Sequence, residues 1–301
     1  MSKIEKAIQK AIEHNDLPGR VAPVTPVATT EKSATTVAAS GSIRSMAQPL
    51  LFSSAERAAR KIIYTDAAES DVVKAFRELR TKLAQRSAAT NDVIMVTGLV
   101  DGGGSSFVAR NLATAIALES GRTALLVDCN LARPSLASSL IQDGGIGLTD
   151  YLDADGIDVS AIIHPTGVER LRVIPAGRAP AGKTEYFTLA KMRRLIQSLK
   201  ERYPDRQVIL DAPPITTSAD GQILGALCDH VLLTVPYGRV TERRLYLAIK
   251  AVDAQKLVGV VFNDEPVLPP IRWWTWVRSW LAGRGASAAG KQLVVVKERK
   301  K

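Results

Sequence analysis

Short uninterrupted apolar runs alternate along this chain with longer stretches whose apolar residues recur every three or four positions. The runs are DVIMVTG, TALLVDCN, LRVIPAG, QVILDAPP, HVLLTVPY and LVGVVFND, and among them lie FVARNLATAIALES, TLAKMRRLIQSLKERY and RRLYLAIKAVDA. A strand that is apolar on both faces is covered on both sides, and helical segments between such strands supply the cover. The pattern predicts a doubly wound, mostly parallel α/β domain with helices on both faces, over residues 55–265 including its N-terminal helices.

The flanks read differently. Ile4, Ala7, Ile8, Ala11 and Ile12 share one face of a short amphipathic helix within residues 1–15, with Lys3, Lys6 and Lys10 beside it. Residues 16–54, rich in Ala, Thr, Val, Pro and Ser without a sustained period, read as a flexible linker. Helical patterning resumes over residues 55–63. It returns in SDVVKAFRELRTKLAQR, where Ser70 or Asp71 is placed to cap and Val73, Phe76, Arg77, Arg80 and Leu83 share a side. Residues 266–301 form a basic tail that holds all four tryptophans. Trp273, Trp276 and Trp280 fall on one helical face flanked by Arg272, Arg278 and Arg284, a pattern that suits either a membrane surface or packing against a partner protein.

Composition narrows the function classes. With 301 residues, 46% of them hydrophobic and 23% charged, the chain holds one large domain plus appendages. A formal charge of +10 favours acidic partners, yet no nucleic-acid motif accompanies it, so no specific nucleic acid is expected. Cys129 and Cys228 lie in apolar runs with no disulfide or zinc spacing, which fits a reducing cytosol. His14, His164 and His230 are far apart and argue against a metal centre or a histidine-based triad. No apolar run reaches the ~18 residues of a membrane span, so a cytoplasmic protein, peripheral at the inner membrane, is expected.

In parallel sheets ligands bind beyond the carboxyl ends of the strands, which directs attention to the loops after Val96, Val127, Leu210 and Val235. The first of these, in VTGLVDGGGSSFVARNLATAIA, has the order strand, glycine-rich turn, helix. Gly102, Gly103 and Gly104 leave main-chain N–H groups free to surround an anion at the helix N-terminus. The full phosphate-loop pattern also places a lysine on the phosphates and a hydroxyl on magnesium; Ser105 stands at the lysine position and Ser106 at the hydroxyl position. A second stretch, GRAPAGKT, satisfies the whole pattern with Gly177, Gly182, Lys183 and Thr184 and stays open as an alternative phosphate loop.

The ordered set DGGGSS, LLVDCNLARPSL, VILDAPP, ADGQILGALCDHVLLTVPYGRVT and GVVFND resembles the bacterial tyrosine autokinases of capsule and exopolysaccharide export, within the P-loop superfamily that also holds MinD- and ParA-like proteins. The match runs roughly over residues 71–264. It implies that Asp128 and Asp211 are the acidic residues of the site, and the catalytic ones if the chain is active. Gly102, Gly103, Gly104, Ser105, Ser106, Asp128 and Asp211 would contact ATP or ADP, with Ser106, Asp128 and Asp211 on magnesium. KAFRELRTKL is similar to the family's assembly helix and makes Arg77 and Arg80 candidate contacts in a homo-oligomer, although Lys74 stands where the family has glutamate. Three departures bear on phosphoryl transfer: Ser105 for lysine, Asn130 for the second acidic residue, and no tyrosine after Asn263 where the family carries its acceptor cluster. The resemblance then implies a protein with weak or absent nucleotide binding that regulates polysaccharide assembly by docking to a membrane copolymerase of the chain-length-determinant type. An active tyrosine kinase or ATPase of the same pathway is the first alternative. A MinD- or ParA-type positioning ATPase is the second, and Val100, at the place of that class's signature lysine, speaks against it.

Overall fold

A computed structural model describes residues 51–63, 70–86, 91–141, 145–178, 186–188, 190–203 and 205–264. The amphipathic helix at residues 1–15, nearly all of the linker, the tryptophan tail, and Gly182, Lys183 and Thr184 lie outside the described residues.

In chain order the elements are α1 (Ser54–Ala59), α2 (Asp71–Arg86), β1 (Val93–Gly98), α3 (Ser105–Ala117), β2 (Thr123–Asp128), α4 (Leu136–Leu140), α5 (Leu148–Asp153), β3 (His164–Pro165), β4 (Leu171–Ile174), α6 (Ala190–Arg202), β5 (Arg206–Ala212), α7 (Ala219–Leu227), β6 (His230–Pro236), α8 (Glu242–Ala251) and β7 (Leu257–Asn263). They build one seven-stranded sheet in the order β3-β4-β2-β5-β1-β6-β7. All neighbours run parallel except β3, whose His164 and Pro165 pair antiparallel with Val173 and Arg172 of β4. The doubly wound, mostly parallel α/β fold expected from the apolar runs is the fold observed.

Strand alternation divides the core into two layers. Ile94, Val96, Leu126, Ile209 and Leu232 face one side, where they meet Phe76, Leu79 and Leu83 of α2 and Val108, Leu112 and Ile116 of α3. Val93, Met95, Leu125, Leu210 and Leu233 face the other, against Met192, Leu195 and Leu199 of α6 and Leu245 and Ile249 of α8. Every residue of β1, β2 and β5 is buried, which is why these segments read as unbroken apolar runs.

Two expectations at the N-terminal side need correction. Helix α1 ends at Ala59, four residues short of the expected end, after starting from a capping box between Ser53 and Glu56. Ile62 and Ile63 are buried in the non-helical segment that follows: Asn111 of α3 accepts the Ile63 N–H at 2.8 Å and donates to the Lys61 carbonyl at 3.0 Å. The folded part also begins inside the stretch read as linker. Phe52 is 3% exposed, its N–H donates to the Gly167 carbonyl, and Arg60 lies over its ring at 4.4 Å. One buried aromatic outweighs the linker-like composition around it.

Candidate functional site

Strands β1, β2, β5, β6 and β7 release their following loops at one end of the sheet. The loop after β1 is laced to the loop after β5: the Ile215 N–H donates to the Gly98 carbonyl at 3.1 Å and the Thr216 hydroxyl to the Leu99 carbonyl at 2.7 Å. Gly102 and Gly104 adopt φ values of +65° and +89°, a left-handed backbone that side-chain-bearing residues avoid. The Gly103 N–H closes the turn on the Val100 carbonyl, and the Gly104 carbonyl accepts the Val108 N–H as the first bond of α3. Helix α3 has no side-chain cap, so the N–H groups of its first turn remain available to an anion.

Behind this cradle stand two carboxylates. Asp128 ends β2 and Asp211 lies near the end of β5, directly paired in the strand register. Both are fully buried. Asp128 accepts the N–H groups of Asn130 at 3.3 Å, Ser135 at 3.1 Å and Leu136 at 3.0 Å, and so shapes the loop that follows β2. Burial raises its pKa to about 6 against the restraint of those three bonds. Asp211 is different. Neither of its oxygens closes a hydrogen bond of normal geometry among the described residues. Burial, reinforced by the negative charge of Asp128, pushes its pKa up to about 8, while the Ser106 hydroxyl and the Arg110 guanidinium favour the charged form. A buried carboxylate without donors costs free energy unless it is neutral or meets a cation. An orphaned acid beside an open helix N-terminus is an arrangement that fits a metal–phosphate ligand. Among the described residues no cluster of three or more His, Cys, Asp or Glu side chains could hold a metal alone, so the phosphate oxygens would have to complete the coordination.

The rim carries positive charge. Arg133 lies 3.6 Å from the Asp101 carboxylate. Arg239, in the loop after β6, donates from Nη1 to the Gly102 carbonyl at 2.9 Å and from Nη2 to the Asp101 carbonyl at 3.2 Å. It also borders a groove of about 590 Å³ whose other walls include Thr216, Thr217, Thr241, Arg243 and Arg244. The sequence reading pointed to the loop after Val235 as a place for function and quoted the run VPYGRVT, but did not single out Arg239 within it, which is 137 residues from Gly102.

Of the remaining candidates, those within the described residues, Gly177, Arg77 and Arg80, are not gathered here. Gly177, with φ +83°, follows β4 and packs against α5. There the Asp150 carboxylate accepts the N–H groups of Gly147 at 2.7 Å and Arg178 at 3.3 Å, which places negative charge beside Gly177. Arg77 is exposed on α2, whereas Arg80 is engaged within its own chain, donating to the Ala115 carbonyl at 2.9 Å and lying 3.5 Å from Glu119.

No family model matches the chain. It is 29% identical over 191 residues to the tyrosine-protein kinase CpsD of Streptococcus agalactiae, which covers 62% of this chain and 81% of that protein. The kinase domain of the Escherichia coli tyrosine kinase ETK superposes with a TM-score of 0.58 at 27% identity, covering 64% of this chain and 74% of that one. The BceF tyrosine kinase domain superposes with a TM-score of 0.55 at 31% identity, covering 64% of this chain and 76% of that one. With the glycine loop and the two motif carboxylates converging at one end of a shared fold, the chain belongs to the P-loop family of bacterial tyrosine kinases.

Proposed function

We propose that this chain is a tyrosine-kinase-like regulator of capsule or exopolysaccharide biosynthesis that binds a nucleotide weakly and acts by docking to a membrane polysaccharide copolymerase. The observation that supports it is the state of the glycine loop. The cradle is built, but Ser105 sits where the family pattern needs a cation, beside Gly98 at the base of the loop. A neutral hydroxyl contributes neither the charge that holds the phosphates nor the stabilisation of charge that grows during phosphoryl transfer.

In this reading the N–H groups of Gly102, Gly104, Ser105 and Ser106 surround the phosphates, while the Gly103 N–H braces the turn on the Val100 carbonyl. Ser106 and Asp211 face the position of magnesium, and Asp128 holds the β2 loop against them. Magnesium nucleotide, when bound, would supply the positive charge that Asp211 lacks. The working unit would be the domain of residues 55–265 extended to Phe52, with residues 1–15 and the tryptophan tail as its attachments to partner or lipid at the cytoplasmic face of the inner membrane. Copolymerase docking rests on family kinship.

Titration calorimetry of the full chain with ATP and ADP in magnesium, run beside an autophosphorylation assay, tests the proposal. Weak binding without phosphotyrosine is expected, and Ser105→Lys should tighten ATP by about tenfold or more, the worth of a charge-assisted contact. Phosphotyrosine formation or sustained phosphate release by the unaltered chain would overturn it. That outcome would favour the second reading, an active kinase or ATPase, for which the retained Asp128 and Asp211 pair is the supporting observation.

A further inference from the structure

We propose that Arg239 is the phosphate-binding cation of this site, standing in for the lysine that the glycine loop lacks. The inference rests on the reading that the loop holds a phosphate chain. It names the residue that makes such binding possible without a lysine at position 105.

Three observations carry it. First, Arg239 is held on the loop itself: its two terminal nitrogens donate to the Gly102 and Asp101 carbonyls. A guanidinium has five N–H groups, so three remain after these two bonds, fixed in a planar fork that matches phosphate oxygens. The bonds have already ordered a long side chain, and ligand binding would not bear that entropy again.

Second, the loop carbonyls that face Arg239 are those of the turn whose N–H groups form the cradle, so the charge lies at its rim. A Cβ added to Gly102 would stand 4.0 Å from Arg239 Nη2. Arg133, near the Asp101 carboxylate, offsets the one acidic side chain of the turn and leaves the rim positive.

Third, two buried groups at the cradle close no hydrogen bond of normal geometry among the described residues: both oxygens of Asp211, approached by the Ser106 hydroxyl, and Oδ1 of Asn263. These point independently to a ligand, and the combination of arginine, free N–H groups and an unpartnered carboxylate fits a di- or triphosphate with its divalent cation better than a carboxylate ligand.

The test is calorimetric titration of the full-length chain with magnesium ATP, magnesium ADP, pyrophosphate and orthophosphate over a range of salt concentrations. Arg239→Gln, Arg239→Lys and Arg243→Gln are compared with the unaltered protein, and thermal melting reports on folding. Arg239→Gln should weaken ATP and ADP by roughly tenfold or more. Its salt dependence should become shallower, because one cation is gone. Arg239→Lys should recover the salt dependence and part of the affinity, since it keeps the charge but not the fork. Arg243→Gln, in the same groove but not hydrogen-bonded to the loop, should bind as the unaltered chain does. Equal weakening by Arg239→Lys and Arg239→Gln would show that Arg239 only braces the loop, and unchanged affinity in Arg239→Gln would remove it from the site; either overturns the inference. If the unaltered chain binds none of the four ligands, the nucleotide reading itself fails and Arg239 loses its role with it. Binding of orthophosphate alone would make the site an anion site without nucleotide specificity and would likewise overturn the assignment to a phosphate chain.

Discussion

Asn263, the last residue of β7, reaches over the end of β6 to the glycine loop, where its Nδ2 donates to the Gly103 carbonyl at 3.3 Å. The contact is close enough that a Cβ on Gly104 would overlap the Asn263 amide. Position 104 therefore combines a left-handed backbone with a steric block. Gly104→Ala should displace either the loop or Asn263, with a loss of about 1–3 kcal/mol in stability and of nucleotide binding together. Chemical denaturation and calorimetry on the same variant check both, and wild-type values for either would show that the loop accommodates a side chain.

Asp211 makes stability depend on pH in a defined direction. Its pKa rises from an ordinary value near 3.8 to about 8 on folding, so the folded chain holds a proton that the unfolded chain releases. The stabilisation is complete below about pH 4 and is lost as pH climbs through about 8. Asp128, raised to about 6, acts in the same sense. Without ligand, the midpoint of thermal unfolding should fall between pH 5 and 8.5 from this source. Asp211→Asn should flatten that fall and stabilise the chain at pH 8 by on the order of a few kcal/mol. A steeper fall in Asp211→Asn would contradict the assignment of the buried charge.

The loop beyond Gly177 is expected to play no part in nucleotide binding. The Asp150 carboxylate accepts the Arg178 N–H and places negative charge at the start of that loop, which disfavours an anion there. Lys183→Ala should leave ATP affinity within about twofold of the unaltered protein. Loss of binding in Lys183→Ala alone would transfer the site to that loop.

Asn111, fully buried in α3, holds the segment before α2 through the Ile63 N–H and the Lys61 carbonyl. Asn111→Ala leaves both groups without their partner in a buried place. A loss of about 1–3 kcal/mol is expected, measured by urea denaturation. Amide exchange at Ile63 should rise with it, and unchanged protection there would show that Asn111 is not the pin.

Much of this protein is determined by the sequence read alone. Unbroken apolar runs mark strands because both faces of a central strand must be covered, and the 3.6-residue period marks the helices that cover them. The glycine turn between Gly98 and Ser105 reads directly, since a left-handed backbone and an open helix N-terminus leave a compositional trace. So do Asp128 and Asp211, each at the end of an apolar run. What the tertiary structure decided are relationships between chain-distant loops. The sheet order places β5 and β6 on either side of β1, and that adjacency brings Arg239 to the carbonyl of Gly102 and Asp211 beneath the first turn of α3. Register, not spacing, sets Asp128 against Asp211 and separates their roles, one satisfied by main-chain N–H groups and the other without a hydrogen bond of normal geometry among the described residues. The two-residue β3 and the buried non-helical Ile62–Ile63 segment escaped the pattern for the same reason. Periodicity records which face of a local element is buried, whereas contacts between strand-end loops depend on how the strands are ordered, and that order has no local signature.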